Sequence, residues 1–156
     1  MGEMKVLINA APLIFLAKAR LLRILKELFG EVYTTQEVWD EVVWPLEHGF
    51  RSEDAEAIAS CEWIRVLKLS REELRMAEEY KYRLGLGRGE ASLASIYRRG
   101  FDVVMVADRD AMERLRAEGI SVADLSKVIK LAARRGLVDA TEDIKRLMRR
   151  PAPGRT

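Results

Sequence analysis

Four acidic residues and one amide fall where a fold could bring them to a common site. Asn9 and Asp108 each follow a short apolar run that predicts a strand, and Asp110 comes two residues after Asp108. Glu41 and Glu90 lie near predicted helix starts. Ligands of open parallel sheets gather outside the carboxyl ends of the strands. Carboxylate and amide oxygens at such an edge are hard ligands, of the kind that suit Mg²⁺ or Mn²⁺.

Each of these acids also has an ordinary structural explanation. Asp108 fits the N-cap of the helix that follows it. Glu41 fits a solvated carboxylate on a helix, and Glu90 a favourable charge in a first helical turn. Only their combination at one sheet edge indicates a metal site.

Composition restricts the class of protein. The chain has 156 residues, of which 49% are apolar and 33% charged, which excludes a disordered or collagen-like chain. The single cysteine, Cys61, excludes an internal disulfide and a cysteine-rich zinc site. No apolar run approaches the roughly 18 residues that cross a bilayer, and no signal peptide is evident. We expect a cytoplasmic protein without a membrane segment, with one domain over residues 1–150 and a disordered tail over 151–156.

Charge is unevenly distributed although the net charge is only +2. Residues 31–62 contain nine acids and one base, whereas residues 127–156 contain nine bases and three acids. This pattern fits a metal site beside a polyanion, and it equally fits two solvated faces. The chain has one Asn and one Gln among many Glu and Arg residues, a pattern typical of thermophiles.

The predicted elements alternate between strands and helices. Strands are expected at 5–8, 32–33, 63–67, 102–107 and 120–122, with helices between them and a last helix over 141–150. Thr34 and Glu37 predict a capping box for a helix that Pro45 ends, and Ser70 and Glu73 predict a second capping box. Continuous apolar strands separated by helices predict an α/β fold with a parallel sheet.

Five segments in order carry a resemblance to a known family. They are Val-Leu-Ile-Asn-Ala-Ala-Pro-Leu-Ile (6–14), Val-Trp-Asp-Glu-Val (38–42), Leu-Gly-Arg-Gly-Glu-Ala (86–91), Val-Met-Val-Ala-Asp-Arg-Asp-Ala (104–111) and Ala-Ala-Arg-Arg-Gly-Leu-Val (132–138). The chain resembles, over residues 4–148, the PIN domain family of metal-dependent ribonucleases, in its VapC-type prokaryotic branch. The resemblance implies a Rossmann-like parallel sheet sandwiched by helices, with an acidic pocket for one or two Mg²⁺ or Mn²⁺ ions.

The resemblance also implies residue roles. Glu41 matches the acid of the second motif, Glu90 that of the third and Asp108 the acid after the fourth strand, with Asp110 as a possible fourth acid. Asn9 takes the place of the first aspartate and would be a metal ligand beside Glu41, Glu90 and Asp108.

Three positions depart from the family pattern. Position 9 is Asn instead of Asp, Ala11 replaces a frequent Ser or Thr, and Ala107 replaces a frequent acid. An amide oxygen brings no charge, so we expect weaker metal binding and weaker activation of water.

Three functional hypotheses follow. The first is a Mg²⁺- or Mn²⁺-dependent endoribonuclease acting on RNA; by resemblance, it would be the toxin of a toxin–antitoxin pair and a homodimer. The second is a catalytically weakened PIN-fold module that binds RNA or protein, favoured by Asn9 and Ala11. The third is a toxin whose main role is to be held by a small antitoxin, in a groove formed by apolar helix faces over residues 21–28 and 38–43.

Overall fold

A five-stranded parallel sheet organises the fold, and the computed structural model describes residues 4–139. The strands are β1 (Val6–Ile8), β2 (Val32–Thr35), β3 (Ile64–Leu67), β4 (Val103–Val106) and β5 (Val122–Asp124), in the order β3-β2-β1-β4-β5. The helices are α1 (Ala10–Lys18), α2 (Arg23–Phe29), α3 (Gln36–Glu47), α4 (Glu53–Ala59), α5 (Arg71–Leu84), α6 (Arg88–Ile96), α7 (Arg109–Ala117) and α8 (Leu125–Arg134), and a 3₁₀ turn covers Tyr97–Arg99. The predicted Rossmann-like α/β fold is confirmed.

Strand β1 is the centre of the sheet. Its three residues are completely buried, as expected for a parallel strand with both faces covered. Leu7 pairs with Tyr33 of β2 on one side and with Val104 of β4 on the other. The residue that follows β1 therefore lies at the middle of the carboxyl edge.

The apolar helix faces proposed as a partner groove lie in the core. Their buried members are Leu21, Leu22, Ile24, Leu25, Leu28, Val38, Val42 and Val43. The groove prediction was wrong because these side chains cover the sheet. Among the described residues, the exposed large apolar side chains are Met4, Trp44, Phe50, Leu74 and Tyr82.

Helix α3 begins one residue later than its sequence predicts. Thr35 is the N-cap, and its hydroxyl accepts from the Val38 amide at 3.2 Å. The Thr34 hydroxyl instead donates to the Ile8 carbonyl at 2.8 Å, which joins β2 to β1. The predicted capping box between Thr34 and Glu37 is therefore not formed.

Two other boundaries differ from the predictions. Helix α3 continues through Pro45 to Glu47. Proline removes only the hydrogen bond to the Glu41 carbonyl, and in the last turn of a surface helix that carbonyl can be solvated. Strand β5 starts at Val122 instead of Ile120 because it pairs with β4 from Val104↔Val122 to Val106↔Asp124.

The predicted last helix (141–150) and tail (151–156) lie outside the described residues. The single-domain boundaries stay a prediction. None of the helices described between residues 4 and 139 is long and apolar enough to span a membrane.

Candidate active site

Asn9 is held at the carboxyl end of the central strand. It is 8% exposed, and its backbone N–H donates to the Met105 carbonyl at 3.0 Å. It occupies the N-cap position of α1, but its side chain makes no capping hydrogen bond. Instead, Nδ2 donates to Oε2 of Glu90 at 3.4 Å, so the amide is directed towards α6.

Glu90 is fixed by two contacts. Its Oε1 accepts from the Gly87 amide at 2.9 Å, which satisfies an otherwise unpaired donor at the start of α6. Its Oε2 accepts from Asn9. One oxygen of the Glu90 carboxylate thus caps the start of α6, and the other oxygen faces the end of β1.

Gly89 permits the close approach of α6 to β1 and α3. A Cβ atom at this position would lie 3.0 Å from Oδ1 of Asn9 and 3.2 Å from Cγ2 of Val38. Such distances are tighter than ordinary packing allows, and both neighbours are buried. Close packing therefore explains why glycine, and not a larger residue, directly precedes Glu90.

Glu41 of α3 belongs electrostatically to the same site. Burial raises the pKa of Glu41, the negative charge of Glu90 raises it further, and the Arg88 guanidinium opposes both effects. Glu41 as a whole residue is exposed to solvent, so the burial that raises its pKa is that of its carboxyl group. Two carboxylates that repel each other are an arrangement that a cation would stabilise.

Glu37 is a functional candidate that the sequence analysis did not identify. Its Oε1 is buried and has no hydrogen-bond partner in the part of the chain that the structure describes. Glu37 lies four residues before Glu41 and hence on the same face of α3. The i, i+4 spacing was the available signal, but assigning Glu37 to a capping box concealed it.

Asp108 and Asp110 lie one strand away and are exposed. The Asp108 carboxylate caps α7 by accepting from the Asp110 amide at 3.2 Å. No described contact joins either residue to Asn9, Glu41 or Glu90. The structure thus brings together three of the five predicted residues and leaves these two on the flank.

Asp124 is a further acid at this edge that the sequence analysis did not select. It ends β5, lies opposite Val106 and accepts from the Ser126 amide at 3.1 Å and the Ser126 hydroxyl at 3.0 Å. Like Asp108, it is an acid at the carboxyl edge whose oxygens are used by its own helix.

The donor set at this edge fits a loosely held Mg²⁺ or Mn²⁺ ion. Within residues 4–139, no group of three or more His, Cys, Asp or Glu side chains is arranged to hold a metal ion. Mg²⁺, however, is usually bound by one or two carboxylates and completes its shell with water and substrate phosphate. Glu41, Glu90 and the Asn9 amide match that requirement.

Comparison with known proteins identifies the family. A family model for PIN domains, DUF3368, matches residues 5–151. The chain belongs to the PIN domain family. No curated protein matches its sequence.

Two solved structures are similar to the chain. VapC20 of Mycobacterium tuberculosis, a sarcin–ricin loop cleaving toxin, is 18% identical with a TM-score of 0.56, over 74% of this chain and 96% of VapC20. PAE2754 from Pyrobaculum aerophilum is 20% identical with a TM-score of 0.57, over 85% of this chain and 98% of PAE2754. At these identities the likeness shows the fold.

Proposed function

We propose that the protein is a Mg²⁺- or Mn²⁺-dependent endoribonuclease. The observation that carries the proposal is the convergence of Asn9, Glu41 and Glu90 at the carboxyl edge of a PIN domain sheet. The fold shared with VapC20, a toxin that cleaves an RNA loop, favours RNA as the substrate.

The chemistry is hydrolysis of a phosphodiester bond. A divalent ion, when bound, lowers the pKa of water and stabilises charge on the phosphate. Glu41, Glu90 and the Asn9 oxygen would hold the ion, and we keep Asp108, which lies on the neighbouring strand and caps α7, as a further candidate ligand. The water oxygen bonds to phosphorus, the bond from phosphorus to the leaving ribose oxygen breaks, and the leaving oxygen takes up a proton.

The chain's own residues contribute charge and position. Burial and the Glu90 charge raise the pKa of Glu41, so its ionised form is unfavourable unless a cation lies beside it, which suits this carboxylate to the role of a ligand. The proton that the attacking water loses passes to solvent. Glu90 is held on both sides and keeps its orientation. Arg88, whose charge reaches Glu41, is available to a phosphate oxygen. We assign Asp110 an accessory role beside Asp108.

The test is cleavage of a labelled RNA that contains both a single-stranded segment and a structured loop. We expect cutting with Mg²⁺ or Mn²⁺, none with EDTA, and about a 100-fold loss in Glu41→Gln and Glu90→Gln, because each variant removes a charged ligand of the ion. Glu47→Gln, an exposed carboxylate on the same helix, is the matched control. Equal cleavage by wild type and both pocket variants would disprove the assignment.

Asn9 favours a second candidate, a PIN-fold module that binds RNA or protein and whose catalysis has weakened. Its nitrogen donates to Glu90 and its oxygen lies against Gly89, so the amide brings no negative charge to attract a cation. Under this alternative the wild type binds RNA without cutting it, and Asn9→Asp gains cleavage.

A toxin role, an antitoxin partner and a homodimer are further parts of the proposal. Growth arrest on expression of the chain tests the first, and co-purification of a small protein with the tagged chain from its native cells tests the second. Sedimentation of the purified chain tests the third.

A further inference from the structure

A chain of buried hydrogen bonds connects the two helices that carry Glu41 and Glu90. The hydroxyls of Thr35 and Ser92 lie 2.7 Å apart, and the two residues are 0% and 1% exposed. The Val38 amide donates to the Thr35 hydroxyl at 3.2 Å, and the Ser92 hydroxyl donates to the Gly89 carbonyl at 2.6 Å. The chain thus runs from the first turn of α3 to the residue directly before Glu90.

The direction of these hydrogen bonds is fixed. An amide N–H can only donate and a carbonyl oxygen can only accept. Ser92 gives its proton to Gly89, so it must accept from Thr35, and Thr35 in turn accepts from Val38. Three groups, Val38 N–H, Thr35 O–H and Ser92 O–H, each donate one hydrogen bond. This set of hydrogen bonds specifies one arrangement of α3 and α6.

The end of the chain contacts the pocket. Gly89 packs against Oδ1 of Asn9, and Glu90 accepts from Nδ2 of the same side chain. A shift of α6 relative to α3 would therefore change both Asn9 contacts and the separation of Glu41 from Glu90.

We infer that Thr35 and Ser92 are positioning residues, whose hydroxyl pair sets the distance between the two glutamates of the site. The inference rests on the proposed function, because the distance between the two glutamates matters for catalysis only if they belong to the active site of a nuclease. Neither hydroxyl contacts the reacting atoms, so both act through the helices that they join.

The chain offers a matched control. The Ser95 hydroxyl is also buried and donates to a carbonyl, that of Ser92, at 2.7 Å, but this bond stays within α6. Ser95→Ala removes a similar hydrogen bond without disconnecting α3 from α6. Thr35→Ser keeps the hydroxyl and loses only a methyl group.

The side-chain amides give a readout that needs neither metal nor RNA. Asn9 and Gln36 are the single Asn and the single Gln of the chain, so a ¹⁵N spectrum contains two side-chain NH₂ groups. Asn9 reports on the pocket, and Gln36, bonded to Asp40 at 2.8 Å, reports on the outside of α3.

The experiment compares Thr35→Val, Ser92→Ala, Thr35→Ser and Ser95→Ala. We expect Thr35→Val and Ser92→Ala to move the Asn9 NH₂ signals, to weaken Mn²⁺ binding by about 10-fold in calorimetry and to lower kcat more than they change KM. Thr35→Ser and Ser95→Ala should resemble wild type in all three. Unmoved Asn9 signals in Thr35→Val and Ser92→Ala, or equal movement in Ser95→Ala, would overturn the inference. If wild type neither binds Mn²⁺ nor cuts RNA, the proposed function fails, whereas the Asn9 signals still decide the positioning role.

Discussion

The Asn9 amide nitrogen lies 3.4 Å from Oε2 of Glu90, where the family resemblance expects an aspartate. An aspartate at this place would face Glu90 with a second negative charge. The amide donates a hydrogen bond instead and adds no further negative charge beside the two carboxylates. The replacement of the expected aspartate by Asn9 should therefore affect two properties, the stability of the protein and its affinity for a metal ion.

Asn9→Asp should lower the melting temperature in EDTA and should recover stability with Mn²⁺. The new carboxylate loses the hydrogen bond and repels Glu90, for a cost of about 1–3 kcal/mol. Thermal unfolding with and without Mn²⁺ measures both effects. Gln36→Glu is the control, because it also places a new acid beside an old one, Asp40, but away from the pocket. Equal rescue of both variants by Mn²⁺ would show that the ion does not bind at Asn9.

Glu41→Gln should raise the melting temperature at neutral pH while abolishing cleavage. Burial and the Glu90 charge both disfavour the ionised carboxylate of Glu41, so a neutral amide relieves an unfavourable interaction. Glu47→Gln, on the exposed end of the same helix, should leave both properties near wild type. The idea of a strained acid pair fails if Glu41→Gln lowers the melting temperature.

Gly89→Ala should destabilise the protein by about 1–3 kcal/mol, the usual cost of overpacking. The added methyl group meets Asn9 at 3.0 Å and Val38 at 3.2 Å, and both are buried. Gly87→Ala meets only the Glu90 carboxylate, at 3.2 Å, and should cost less because that side chain can move. Denaturant unfolding of the two variants gives the comparison. A smaller loss in Gly89→Ala than in Gly87→Ala would contradict this account.

Glu73 should make stability depend on acid pH. Hydrogen bonds from the Arg99 guanidinium hold the pKa of Glu73 at about 2, below its ordinary value of 4.5. The ionised form is therefore favoured in the folded state, and this stabilisation is complete above pH 4.5 and is lost as pH falls towards about 2.

Glu73→Gln should consequently melt below wild type at pH 7, and the difference should narrow between pH 4.5 and about 2. Melting temperatures across that range provide the measurement, with the neighbouring exposed Glu72→Gln as control. A difference that stays constant with pH would exclude the ion pair as its cause.

The sequence was sufficient for the sheet and for part of the site. Buried strands are continuous apolar runs, so β1 and β4 could be located, and the capping box of Ser70 and Glu73 formed as predicted. Asn9 and Glu90 could be selected because one follows a predicted strand and the other begins a predicted helix; the structure brings their side chains within 3.4 Å, and their role in a site stays a prediction.

The remaining details depend on tertiary contacts. Thr34 and Thr35 are equally good N-caps, and the choice was decided by the Ile8 carbonyl, which takes the Thr34 hydroxyl. The Thr35–Ser92 pair spans 57 residues and has no local signal.

The position of β1 between β2 and β4 has a consequence for synthesis on the ribosome. The ribosome synthesises Asn9 early, but the backbone amide of Asn9 donates to Met105, which is made much later. In the same way, Val6 can pair with Val103 only after Val103 has been made. At the usual elongation rate that interval is roughly 5–20 s. Until Met105 has left the ribosome, a nascent chain therefore lacks the β4 contacts that hold Asn9, and its pocket is incomplete.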